Sequence, residues 1–146
     1  MKNRSKITRV QLNLEAAEDY SLLGIVSSEP DYKLSLSLNR KLKLSLRNSK
    51  PIEFRDENGE DLHFSRFSDN TGASGFNVNL ISNKSGNALL IRKLRKIDYI
   101  LQILPVSGEL NTAEMTLTLR NIDAVTGVFV LNTEEIRDKN FQYLIP

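Results

Sequence analysis

Three groups of residues in this 146-residue chain have the types and spacing for chemistry. The first is an acid beside a phenol. Asp-Tyr occurs at 19–20, 31–32 and 98–99, using three of the four tyrosines. An acid and a phenol in hydrogen-bond reach can relay a proton. Asp31, Tyr32, Asp98 and Tyr99 are therefore a candidate polar cluster. Neighbours in sequence point to opposite faces of a strand and do not face each other on a helix. No Asp-Tyr pair makes a site alone, and a relay needs the fold to bring Asp31 or a tyrosine to Asp98. Otherwise each Asp caps or solvates a turn while its Tyr anchors a ring in the core.

The second group is cationic. In IRKLRKIDY, Ile91 to Tyr99, the residues Arg92, Lys93, Arg95 and Lys96 form a candidate contact for a partner or an anion. A helical turn here would aim backbone N–H groups at such an anion. Leu94 and Ile97 would face inward at i, i+3, leaving the cations in water. If the segment is extended, Arg92 and Lys93 point apart and the patch splits.

The third group is acidic. DENGED, residues 56–61, has a faint look of a calcium loop but lacks the full ligand spacing and the distal Glu. It reads as a charged hairpin tip. His63 is the one histidine, and it assembles no metal site or serine triad. With no cysteine, thiolate metal sites, disulfides and a cysteine nucleophile are excluded. TGASG, residues 71–75, leads into a strand, so it is a loop and not a phosphate cradle. No cofactor is implied.

The elements that must position these groups follow from periodicity. A chain this long forms one domain and buries roughly 70% of its unfolded surface. No stretch reaches the ~18 apolar residues of a membrane span, and no apolar signal segment follows the charged start, which implies a soluble, cytoplasmic protein. Residues 7–14 alternate as a half-buried strand, and SLLGIVSS, 21–28, reads as a central one. Pro30 and Asp31 suit a helix start. The leucines at 34, 36, 38, 42, 44 and 46 fit either a hairpin or, through 34, 38 and 42, a helix.

The next hairpin can be read in register. A three-residue loop, Glu57-Asn58-Gly59, puts Ile52 against Phe64 and Phe54 against Leu62. A two-residue loop would split these apolar sets between faces, so the core selects the longer loop, with Gly59 at positive φ. Residues 76–82 alternate, and Tyr99, Leu101 and Ile103 share one face of a strand that Pro105 ends. Asn111 or Thr112 starts a helix to about Asp123, with Met115, Leu119 and Ile122 on one stripe. Residues 126–132 read as a buried strand. Asn132 and Glu135 have capping-box spacing for a short final helix. The apolar tail FQYLIP must dock. The fold class is α+β: a mostly antiparallel sheet of about six or seven strands with two main helices packed on it. A ferredoxin-like core with an extra hairpin is the specific expectation.

LISNKSGNALLIRKLRKIDYILQI, residues 80–103, resembles the signature region of the IPExxxVDY family, a group of small uncharacterised bacterial proteins. YSLLGIVSSEPDYKLSLSLNRKL, residues 20–42, resembles the N-terminal half of the same family. Ile91, Asp98 and Tyr99 match the signature. Ile97 stands where the family prefers valine, and Arg92 and Lys93 replace Pro-Glu. The resemblance covers most of residues 7–104. It implies a helix over 30–42, and it implies no catalytic residue, cofactor or substrate.

The net charge is +2, but residues 1–50 balance at +5 and residues 51–146 at −3. The best functional reading is a non-enzymatic module that binds another protein or itself, for example as a homodimer whose apolar tail adds to a sheet edge. The alternative is a nucleic-acid (RNA) binder using Arg92, Lys93, Arg95, Lys96 and the cations of 33–50. Against it, those basic stretches contain no aromatic residue. A second alternative is an enzyme of unrecognised type built on Asp31, Tyr32, Asp98 and Tyr99.

Overall fold

Alternating apolar residues build the strands, and the computed structural model describes them over residues 20–106 and 110–146. The strand expected at 7–14 and the Asp of the 19–20 pair lie outside the described residues. In chain order come β1 (Ser21–Val26), α1 (Asp31–Leu42), β2 (Arg47–Arg55), β3 (Asp61–Asp69) and β4 (Phe76–Ser82). A small β5 (Lys84–Ser85) and β6 (Ala88–Leu89) precede β7 (Tyr99–Pro105), α2 (Thr112–Arg120), β8 (Gly127–Val130) and a closing 3₁₀ turn, Lys139–Leu144.

Among the described residues six strands make one antiparallel sheet in the order β2-β3-β4-β7-β1-β8, and β5 pairs with β6. The fold is thus α+β. Within it, β1-α1-β4-β7-α2-β8 runs in βαββαβ order with the spatial order β8-β1-β7-β4. That is a ferredoxin-like arrangement, with the β2–β3 hairpin inserted after α1 and added beyond β4.

The ambiguous leucines form a helix. Pro30 sits at its N-cap and Asp31 in its first turn, and Leu34 and Leu38 are fully buried. Each contributes roughly 1.5–3 kcal/mol by leaving water. After Lys43 the chain is held by Asn39, whose amide accepts from Leu46 N (2.7 Å) and donates to Leu46 O (3.2 Å). Leu44 and Leu46 then turn into the same core. The β2–β3 hairpin has the expected register, Ile52 against Phe64 and Phe54 against Leu62, with Gly59 at φ 81°.

Both faces of the sheet are covered. On one, α1 and α2 close over Leu23, Ile25, Val78, Leu80, Leu101 and Ile103. On the other, residues 88–97 and the C-terminal turn cover Leu22, Phe64, Ile81 and Ile100. Gly24 lies beneath this second layer, where an added Cβ would come within 2.8 Å of Ile97 Cδ1.

Two expectations near the C-terminus are corrected. The strand at 126–132 is not buried on both faces: among the described residues β8 is the sheet edge, and Phe129 and Val130 are 54% and 59% exposed. The capping box at Asn132 does not form a helix. Asn132 Oδ1 accepts from Glu134 N in a local turn, and the helical turn begins after Asp138, whose Oδ1 accepts from Asn140 N. The tail does dock, but on a face and not along an edge, with Leu144 buried and Phe141 and Tyr143 packed beside it.

Candidate functional site

Residues 91–97 form two successive tight turns, Leu94 N to Ile91 O and Ile97 N to Leu94 O, both 3.1 Å. Such i→i+3 spacing stacks every third residue on one side. Ile91 and Ile97 are buried, Leu94 is half-buried, and all four cations are exposed. The run is therefore divided: Arg92 and Arg95 line a cleft, while Lys93 and Lys96 do not.

The seat of these turns is Asn83, which no motif in the sequence marks. It is fully buried. Its Nδ2 donates to Leu94 O (2.8 Å) and Ile97 O (3.0 Å), and its Oδ1 accepts from Ile91 N (2.8 Å). Its backbone bonds Asp98 O and Leu90 N. The anion expected at the start of the turn comes from the chain itself, since Asp138 Oδ2 accepts from Arg92 N at 3.0 Å.

The cleft holds about 710 Å³. Its walls are the β2–β3 tip, the segment 87–95 and the C-terminal turn. Phe54 stacks on Phe64 (centroids 5.8 Å, 22°) and on Tyr143 (5.1 Å, 6°), and Phe54 and Tyr143 both line the cleft. Three acids of the tip, Asp56, Glu57 and Asp61, are engaged. Asp56 Oδ1 accepts from Asn58 N and Glu60 N, and Asp61 pairs with Arg55 at 3.1 Å. Glu57 pairs with Lys139 at 3.0 Å, joining two walls. The hydrogen bond and charge of Lys139, and then the charge of Arg92, hold the Glu57 carboxyl below its usual range. Among the described residues, neither Arg92 nor Arg95 is in an ion pair.

The Asp-Tyr cluster is partly assembled. Asp98 Oδ2 accepts from Ser27 N (2.9 Å), and its Oδ1 accepts from Lys84 (2.7 Å). Tyr99 donates from its hydroxyl to Glu29 O at 2.6 Å, with its ring buried. Two neighbours thus grip one loop, the β1–α1 connection, from β7. Asp31 approaches closely enough to act on Tyr99 by its charge, but its Oδ1 accepts from Tyr32 N (2.7 Å). Tyr32 is 56% exposed, so its ring does not anchor in the core. Burial, followed by the charges of Asp31, Asp98 and Glu29, pushes Tyr99 up to about 12. A phenol so placed stays protonated at neutral pH and serves as a donor, not as a base.

His63 lies on the surface, its Nδ1 2.7 Å from Glu53 Oε2 across the hairpin. The TGASG loop is tied down by Asp69, whose Oδ1 accepts from Thr71 N and Thr71 Oγ1.

The two sheet edges differ. β2 carries Arg47, Lys50, Pro51, Glu53 and Arg55 and is interrupted between Ser49 and Ile52. β8 is four residues long and carries Phe129 and Val130, with Arg120 Nη2 donating to Val128 O at 3.1 Å.

No protein-family model matches this chain, and no curated protein matches it.

Proposed function

We propose that this protein is a non-enzymatic module that binds a second copy of itself through the β8 edge. The observation that carries the reading is the contrast between the edges. Charges, a proline and a bulge guard an edge against pairing with another chain. β2 has all three, whereas β8 exposes Phe129 and Val130, with Arg120 taking one of its backbone carbonyls, Val128 O. Antiparallel pairing of two β8 strands would give an isologous dimer with a continuous sheet. A non-enzymatic role is supported by what the polar cluster does: Asp98 and Tyr99 spend their hydrogen bonds on the backbone of Ser27 and Glu29.

The same proposal takes the chain as a cytoplasmic relative of the IPExxxVDY proteins. The signature positions it keeps, Ile91, Asp98 and Tyr99, are the anchored ones, and the departures at Arg92 and Lys93 are exposed. No helix among the described residues is long and apolar enough to cross a membrane.

Sedimentation velocity from micromolar to millimolar protein tests the reading. A dimer is expected, and Val130→Lys shifts it to monomer without changing the far-UV spectrum. A wild-type monomer throughout that range overturns self-association.

A further inference from the structure

The cleft between the hairpin tip and the C-terminal turn has no part in the edge pairing. We infer that it is a binding site for a nucleotide unit, with the phosphate held by Arg92 and Arg95 and the base stacked on Tyr143, whose ring Phe54 backs.

Four observations meet there. The basic run 92–96 contains no aromatic, but the fold brings two to it: Arg92 and Arg95 come from the turns after β6, Phe54 from β2 and Tyr143 from the tail. The two rings lie within 6° of parallel, so the cleft already contains a flat stacking surface to which a planar group can be added. The acids nearby are engaged, Asp56 by its own turn, Glu57 by Lys139 and Asp61 by Arg55, while the two guanidiniums are in no ion pair among the described residues. A guanidinium presents paired N–H donors that match phosphate oxygens. Finally, about 710 Å³ is the size of a pocket for one small organic ligand.

The faces of the sheet cannot do this work. Open-sheet RNA binders stack bases on strand aromatics, but here helices cover one face and the second layer covers the other. An acidic peptide would use the arginines and leave the rings idle. A nucleotide, free or within a single strand, uses both.

The test uses the full chain and four probes: AMP, a fluorescein-labelled octa-uridylate RNA, inorganic phosphate and polyglutamate. AMP or the RNA is expected to bind. R92Q/R95Q then weakens binding by at least about tenfold, and K93Q/K96Q by less than about twofold. Tyr143→Leu keeps an apolar side chain in the second layer but removes the ring. It should weaken AMP by roughly tenfold while leaving inorganic phosphate unchanged, with a thermal melt confirming that the variant is folded. RNA bound far more tightly than AMP, with strong salt dependence, assigns the site to a strand, and equal affinity assigns it to the free nucleotide. Absence of binding to both overturns the inference. So does equal loss from the lysine and arginine pairs, or binding of polyglutamate alone. Val130→Lys leaves nucleotide binding unchanged, so this result and the dimer result fail separately.

Discussion

The two faces of the sheet are closed by different means. The helix face is closed by side-chain volume: Leu34 and Leu38 of α1 and Leu119 of α2 fill the space over Leu23, Leu80 and Leu101. The second face is closed by irregular chain, whose backbone groups need partners that a helix would have supplied internally. Single side chains provide them. Asn83 holds the turns at 91–97, Asn140 Nδ2 donates to Leu90 O (2.8 Å), and Gln102 Nε2 donates to Leu144 O (2.6 Å). Gln102 is itself reached through a polar row across three strands. Ser68 Oγ bonds Asn79 Oδ1, and Asn79 Nδ2 donates to Gln102 Oε1 at 2.6 Å. Volume is distributed over many residues, whereas this bracketing depends on a few. The second face should therefore open locally, and the helix face only with the whole domain.

Three measurements bear on that contrast. Leu38→Ala leaves a cavity in the helix face and should cost about 3–4 kcal/mol in denaturant unfolding. Amide exchange should accelerate uniformly, and acceleration confined to α1 would contradict the distributed picture. Asn83→Ala strands Ile91 N and Ile97 O and leaves Leu94 O with Ile97 N alone, at about 2–3 kcal/mol. Here exchange should accelerate over residues 84–97 while β1, β7 and α1 stay protected. A uniform response would remove the distinction between the faces.

The smallest effect concerns Tyr99, which belongs to the helix-face cluster but is held by a hydrogen bond. Its folded pKa, about 12, lies above the ordinary 10.0. The folded state therefore keeps the proton longer than the unfolded chain. The stability this contributes is complete below pH 10 and is lost as pH rises toward 12. In urea melts, Tyr99→Phe should flatten that alkaline decline, and an unchanged slope would assign the decline to other groups.

How much of this could be read from the chain follows the same division. The register of β2 and β3 was legible because one slip would send Phe54 and Phe64 to opposite faces. Helix α1 was only half legible, since leucines at every second position also satisfy its turns. β8 was misread because an apolar run has no mark for an edge: GVFV has the composition of a central strand yet, among the described residues, pairs on one side. Asn83, Asp138 and Gln102 were not legible, because a polar residue that satisfies distant backbone carries no local period. The cleft was invisible for the same reason: Arg92, Phe54 and Tyr143 are far apart in sequence and meet only through the second layer. The gripping roles of Asp98 and Tyr99 were anticipated in kind, but their shared target, the β1–α1 loop, needed the three-dimensional arrangement.

Gly24 gives this architecture a mechanical property. An added Cβ there would meet Ile97 Cδ1 at 2.8 Å and Leu131 Cδ2 at 3.2 Å, so the smallest residue in β1 lets these two side chains pack down on the strand. Alanine at that position would first swing the end of the Ile97 side chain, so the layer should absorb one carbon at its side-chain tips before its backbone moves.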